Sequence, residues 1–472
     1  MKCSNPKKAG STTAKQLGKK GNRSSPEAVF AKVLPKIKPS AAESRKDFEA
    51  AAHLIRKLQA VVPPSVEVKL AGSLAKGTDL KGKNEFDIFI LFPLHYSHHE
   101  MTMLGISYAR RAFHGMKMES RYAEHPYLQV FSGDYHADIV PAYKIASISD
   151  KGSSVDRSQL HTAYVNSKLD SRGKDNVRLL KRFTKNFGIY GAELRVEGFS
   201  GYLCELLVIH HSGSLLKLME EAAVWQEPAL DTASHHKGEH KKNFPDAPLV
   251  VIDPVDPHRN VAAVVAQTSL SRFIFECRRF LTAPSEAFFF SKKQGRSTSE
   301  IFSAMKKRGT RLLLLSFPAP KVVPDVLWPQ LKKTAHALSR RLSEQDFPPF
   351  GCYHWSDGRE CAILFELGVW QLPSIRKVMG PSIRFPSDVN AFVEKHSTAF
   401  NMHLEHDRMA AVIRRDVCDA ETALRKACKN TSGLGVPAHM QAPLSRARLL
   451  QGKDAVKEKY NEMLADYFFA KI

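Results

Sequence analysis

The chain has 472 residues, 43% of them hydrophobic, with 70 Lys and Arg against 48 Asp and Glu for a formal net charge of +22. That apolar content excludes disorder over the whole chain and suffices for two to four domains, while no apolar run reaches the ~18–20 residues of a membrane span. The charge surplus points to a polyanionic partner, with nucleic acid first and an anionic membrane surface second. Seven cysteines (Cys3, Cys204, Cys277, Cys352, Cys361, Cys418, Cys428) contain no C-x-x-C, which disfavours a disulfide scaffold or Cys-rich zinc site and fits a reducing cytoplasm. The basic N-terminus is not followed by a hydrophobic segment, so it does not read as a signal peptide.

Residues 1–26 hold Lys2, Lys7, Lys8, Lys15, Lys19, Lys20 and Arg23 and no acid, which predicts a disordered basic tail over 1–25. Ala41 to Val62 has helical spacing, with Phe48, Ala51, Ala52, Ile55, Leu58 and Val62 on one face, and Pro63-Pro64 stops it. Next, "VEVKLAGS" reads as a strand entering a Gly-Ser turn and "NEFDIFILF" as a second strand. A helix is expected near Gly105–Lys117, and "YLQVFSGDYHADIVPAYKI" supplies two more strands around a Gly-Asp turn. From about Asp156 the texture turns helical, and Asn260 is placed to cap a helix near Val261. Beyond Ser291 strands ("GTRLLLLSFPAP", "ECAILFEL") and a helix ("WPQLKKTAHALSRRLSEQ") mix again. The expected division is 1–25, 26–155, 156–291 and 292–472, an α+β multidomain chain.

The chemistry concentrates in Ala71–Phe92, "AGSLAKGTDLKGKNEFDIFILF". Residues two apart on a strand point the same way, ~6.6–7 Å apart, so Glu85 and Asp87 share a face while Phe86, Ile88 and Ile90 fill the other. Two carboxylates beside a dry interior repel each other and lose solvation; divalent cations remove that difficulty. Asp138 in "HADIVPAY" is the candidate third carboxylate. Hard oxygen donors favour Mg²⁺, and two such ions ~3.5–4 Å apart suit in-line displacement at phosphorus. The Gly72-Ser73 turn would offer N–H groups and a hydroxyl to a phosphate chain. Taken alone, the E-x-D pair is a weak signal and reads more readily as a strand-end pair facing solvent or a lysine. "GSLAKGT" has the length of a P-loop, but Thr78-Asp79 stands where Lys-Ser/Thr is required, which excludes that ATPase chemistry. The clusters His95/His98/His99 and His235/His236/His240 lack supporting ligands and read as surface loops.

Glycine-serine, then E-x-D, then a distant Asp resembles the polymerase-β-like nucleotidyltransferase superfamily. "RYAEHPY", "DIVPAYK", "SVDRSQLH", "NVRLLKRF", "GIYGAELRVEGFSGYLCELL", "DPVDPHRNVAA" and "APSEAFF" narrow the resemblance to archaeal-type (class I) CCA-adding enzymes, in order from about residue 41 to 291. "PQL" (329–331) and "VMGPSIRF" (378–385) extend it, and 388–452 departs most.

The resemblance implies a polymerase-β-like nucleotidyltransferase head with a small mixed sheet at 26–155, a helical nucleotide-binding domain at 156–291 and an α+β tRNA-binding body and tail at 292–472. It implies template-independent addition and repair of the tRNA 3′ CCA from CTP and ATP, releasing pyrophosphate. Glu85, Asp87 and Asp138 match the metal-binding catalytic triad for a two-ion Mg²⁺ site, with Asp138 also helping to activate the tRNA 3′-hydroxyl. Ser73 matches the phosphate-binding serine, and Lys76 falls where the family usually has Arg, a point charge in place of a fork. His161, Lys181 and Tyr190 match further ATP/CTP contacts, and Arg259 the arginine that reads the incoming base. Partners implied are tRNA (acceptor stem and elbow), ATP and CTP, with no membrane and a homodimer left open. The alternatives are a poly(A) or oligoadenylate-type polymerase, or an inactive RNA-binding protein on the same scaffold. If the tail only attracts RNA, deleting residues 1–25 should shallow the salt dependence of tRNA affinity in a filter-binding titration, without altering the order of nucleotide addition.

Overall fold

The computed structural model describes residues 24–122, 126–150, 153, 155–236, 238–290 and 295–469. The chain divides into two compact units, Met1–Lys292 and Lys293–Ile472. The expected basic tail lies outside the described residues except for Ser24 and Ser25. Ser25 instead caps α1 (Pro26–Ile37), its side chain accepting from the Ala28 N–H. Ser40 and Glu43 form a capping box that opens α2 (Ala41–Gln59).

After α2 come β1 (Glu67–Ala71), the short α3 (Gly72–Lys76), β2 (Glu85–Phe92), α4 (His98–Ala112), β3 (Lys117–Tyr122), β4 (Pro126–Ser132) and β5 (Tyr135–Tyr143). Their strands form one sheet in the order β1-β2-β5-β4-β3. The β2–β5 pair is parallel, and its neighbours are antiparallel. Alternation along β2 buries Phe86, Ile88, Ile90 and Phe92 with Leu54 and Leu58 of α2 and Met101 of α4. Phe89 and Leu91 pack on the opposite face with Ala71 and Ala142. Helix α4 starts seven residues before the expected Gly105, because Ser97 and Glu100 form its capping box, so His98 and His99 open a helix rather than sit in a loop.

The helical half of this unit comprises α5 (Arg157–Lys168), α6 (Ser171–Asn186), α7 (Gly201–His210), α8 (Leu215–Ala222) and α9 (Gln267–Thr282). Its small sheet comprises β6 (Ala229–Leu230), β7 (Val250–Asp253) and β8 (Asp256–Asn260). Helix α7 is buried from Leu203 to Ile209 and anchors a core with Leu180, Phe183, Phe199 and Phe273. Asn260 does not cap a helix at Val261. It ends β8, where its side-chain oxygen accepts from the N–H groups of Val251 and Ala262, and the next helix begins at Gln267.

The second unit contains α10 (Thr298–Lys307), β9 (Arg311–Pro318), α11 (Pro324–Glu344), β10 (Pro349–Ser356) and β11 (Glu360–Leu367). It continues through β12 (Ile375–Ser382), α12 (Pro386–Lys395), β13 (Asn401–Glu405) and β14 (Arg408–Arg414), then α13 (Ala420–Lys429), α14 (Ala438–Ser445), β15 (Arg448–Leu450) and α15 (Asn461–Phe469). Two antiparallel sheets result, β10-β11-β9-β15 and β12-β14-β13. The run "RLLLLSF" is the inner strand β9, buried from Leu312 to Phe317, which accounts for its continuous apolar character. The fold is α+β and multidomain. Among the described residues no helix is long and apolar enough to cross a membrane.

Gly105 of α4 lies where a Cβ would stand 2.5 Å from Cγ of Pro141 on β5. A proline ring cannot swing aside, so Gly105→Val should push α4 off the sheet and destabilise the protein by about 1–3 kcal/mol in a denaturant titration.

Candidate active site

Parallel pairing of β2 with β5 sets Asp87 opposite Asp138, and β1 sets Ala71 opposite Asp87. Gly72 follows Ala71 at φ 68°, and a Cβ there would lie 1.8 Å from Asp87 Oδ2. Only glycine fits both that backbone and that approach. Asp87 has its pKa raised by burial and by the Asp138 carboxylate. Burial also raises that of Asp138, against a 2.8 Å hydrogen bond donated by Gln129 Nε2. Burial holds the Lys83 ammonium below its ordinary value, partly offset by the attraction of Asp87. Glu85 does not join the pair: it engages Lys83 and lies 3.1 Å from His136 Nε2. Among the described residues, accordingly, no three His, Cys, Asp or Glu side chains are gathered closely enough to hold a metal ion.

Ser73 and Lys76 both lie on α3, beside the carboxylates. Lys76 turns inward, its ammonium 2.6 Å from Glu205 Oε2 and 5.6 Å over the ring of Tyr202. Lys181 on α6 reaches the same acid from the other side, at 3.1 Å from Oε1, and also donates to the hydroxyl of Thr78 at 2.9 Å. The Thr78 hydroxyl in turn donates to Glu205 Oε1 at 2.6 Å. Glu205 is 1% exposed. Burial alone would raise its pKa, but the charges of Lys181 and Lys76 outweigh it and hold the carboxyl well below the usual range. Three residues before Lys181 on α6, Arg178 clamps the adjoining loop through the carbonyl of Asp79 at 2.8 Å.

His161 and Arg259 meet at a second buried acid. Asp253 Oδ2 lies 2.9 Å from His161 Nε2 and 2.8 Å from Arg259 Nη1, and its other oxygen accepts from the Tyr202 hydroxyl at 3.0 Å. Burial lowers the His161 pKa, with Asp253 pulling the other way. Tyr190 is half-buried between Gly188 and Gly191, with the Lys185 ammonium 5.0 Å over its ring. A Cβ on Gly201 would stand 3.2 Å from the Tyr190 hydroxyl and 3.7 Å from Lys181 Nζ, so these two converge at the start of α7. His235 and His236, expected on a surface loop, bond the carbonyls of Pro254 and Pro257 in the β7–β8 hairpin.

Sequence reasoning gave no role to Glu205, Tyr202, Gln129, Lys83 or Asp253. Glu205 did leave a signal, as the single acid in the apolar helix "GYLCELLVIH". Replacing it uncovers two buried lysines, so Glu205→Ala should cost about 3–5 kcal/mol. Its folded pKa is depressed, so its contribution is complete above the unfolded carboxylate range and is lost as pH falls below it. The stability gap between wild type and Glu205→Gln, read by thermal melts, should therefore narrow below about pH 4.

Residues 175–290 match the family model described as tRNA nucleotidyltransferase, second domain, and residues 308–447 the model described as CCA-adding enzyme, C-terminal domain. A CCA-adding enzyme of Methanosarcina barkeri is 36% identical over 424 residues, covering 88% of this chain and 92% of its own length. That of Methanothermobacter thermautotrophicus is 34% identical with the same two coverages. Among solved structures, the Cid1 poly(U) polymerase aligns at TM-score 0.46 and 18% identity over 56% of this chain and 98% of its own, which adds nothing to the assignment. Identity of this level over most of both chains places the chain in the family of CCA-adding enzymes.

Proposed function

We propose that the protein builds and repairs the 3′-terminal CCA of tRNA from CTP and ATP, releasing pyrophosphate. The observation that carries this reading is the Asp87–Asp138 pair, set side by side with Gly72 against it and the ammonium groups of Lys83 and Lys76 near enough to act on Asp87. Paired, partly buried carboxylates of like charge are a donor set suited to hard divalent cations. Asp87 and Asp138 would hold Mg²⁺, with Glu85 joining them on release from Lys83 and His136. Bound there, such ions would supply charge stabilisation to the attacking and leaving oxygens of a displacement at phosphorus.

The protein's own groups do the rest. Asp138 draws the proton of the tRNA 3′-hydroxyl, and Gln129 keeps its carboxylate oriented. Ser73 and the backbone of α3 receive the triphosphate, which competes with Glu205 for Lys76 and Lys181. His161 and Tyr190 contact the nucleotide, and Arg259 presents hydrogen-bond donors to its base. The second unit holds the elbow and acceptor stem through shape and phosphate contacts rather than base sequence. Catalysis on this reading is mostly positioning and electrostatics.

The test is extension of a tRNA lacking its CCA in the presence of Mg²⁺, CTP and ATP. Two cytidines and then one adenosine should be added without a template, and ATP-only tailing of arbitrary RNA would overturn the reading. Asp87→Ala should abolish extension while tRNA affinity, measured by filter binding, stays within about threefold of wild type. Near-normal extension by that variant would refute the carboxylate assignment.

A further inference from the structure

Asp253 is completely buried at the end of β7 yet accepts from four groups. These are His161 Nε2 at 2.9 Å, the Tyr202 hydroxyl at 3.0 Å, the Val255 N–H at 3.1 Å and Arg259 Nη1 at 2.8 Å. Burial would raise its pKa, but the His161 hydrogen bond and the other partners hold it at about 2, so it is an anion at any working pH.

Its surroundings are stiff. Arg157 and His161 lie one turn apart on α5, and each grips one acid of the β7–β8 hairpin: Arg157 takes Asp256 at 2.7 Å, His161 takes Asp253. The Tyr202 ring stacks on the imidazole of His161 with centroids 3.8 Å apart. Arg259 stands on β8 with its side chain 35% exposed. Among the described residues its guanidinium is engaged through Nη1 alone, so it is anchored at one nitrogen and open at the others.

A guanidinium only donates, and every base carries acceptors. A fork free to swing would find a partner on any of the four nucleotides, so its contact selects a base only if its direction is fixed. Cytosine and adenine share one edge pattern, an exocyclic amine beside an unprotonated ring nitrogen. Uracil and guanine place a carbonyl beside a ring N–H there. A donor held in one place meets a lone pair in the first pattern and an N–H in the second. Asp253 is the group that holds this donor.

We propose that Asp253 is a positioning residue for nucleotide choice: it fixes Arg259 so that the open N–H groups meet the ring-nitrogen acceptor shared by cytosine and adenine. This rests on the reading of Arg259 as the base-contacting residue. Asp253 touches no reacting atom, and its effect on selection passes through the guanidinium it orients.

The test uses the full-length protein, Mg²⁺ and a tRNA lacking its CCA, and reads kcat and KM for CTP and for UTP separately. Asp253→Asn should lower the CTP-to-UTP ratio of kcat/KM about tenfold, mainly through KM for CTP, with a smaller change in kcat. In an Arg259→Ala background the same change should lower the ratio no further, since the group it orients is gone. A ratio unchanged in Asp253→Asn while only the melting temperature falls would overturn the proposal, as would a full further loss in the Arg259→Ala background. If Asp253→Asn does not fold, Asp253→Glu keeps the charge and displaces the carboxylate by one methylene. The same fall is then expected, and an unchanged ratio is equally fatal. Failure of the wild type to incorporate CTP would remove the underlying reading itself, a result distinct from wild-type activity with unaltered selectivity.

Discussion

Parallel pairing of β2 and β5 forces two aspartates into adjacent positions beside a dry strand interior, and much of the surrounding architecture answers that constraint. Like charges at this spacing raise each other's pKa and oppose folding. Gly72 has to be glycine because Asp87 occupies the space a Cβ would take. Gln129 spends its amide on Asp138, and Lys83, itself partly desolvated, sits close enough to feel both acids. The aspartates are costly where they stand, and costly charges concentrated in one place mark a site shaped for a ligand rather than for stability.

The cations of the site face the opposite difficulty, and two buried acids resolve it. Without a polyanion, Lys76, Lys181 and Arg259 would repel one another or swing into solvent. Glu205 gathers the two lysines and Thr78 from chain positions more than a hundred residues apart, while Asp253 gathers Arg259, His161 and Tyr202. Tyr202 bridges the two groups, its ring under Lys76 and its hydroxyl on Asp253. A net charge of +22 is therefore not simply surface. Part of it is drawn inward, paired with acids that keep the side chains ordered.

Local pattern made much of this fold legible. Alternation in "NEFDIFILF" identified β2 and the shared face of its acids, and the apolar run at Leu312–Phe317 identified the strand β9. Elements decided by local chemistry still misled where two signals competed. Asn260 has a capping residue's side chain, but the hairpin claims it to satisfy Val251 and Ala262, and α4 begins early because a capping box outweighs the apolar spacing further on. Glu205, Tyr202 and Asp253 were obscure for another reason. Their roles depend on partners distant in sequence, and a single acid in an apolar helix signals burial without saying what balances it. Glu85 shows the limit of strand geometry: sharing a face with Asp87 does not stop Lys83 and His136 from drawing it aside.

The lysine at position 76 acquires a physical reason from the same cluster. Glu205 has two oxygens: Oε2 takes Lys76, and Oε1 takes Thr78 and Lys181. An ammonium is a point charge that occupies one oxygen. A guanidinium in the same place presents two parallel donors and favours capture of both carboxylate oxygens at once. In this chain that would set the residue at 76 against Lys181 for Oε1, and a loosened Lys181 would also lose the partner that orders the Thr78 loop. A lysine at 76 and a buried acid at 205 shared with Lys181 thus form one self-consistent arrangement.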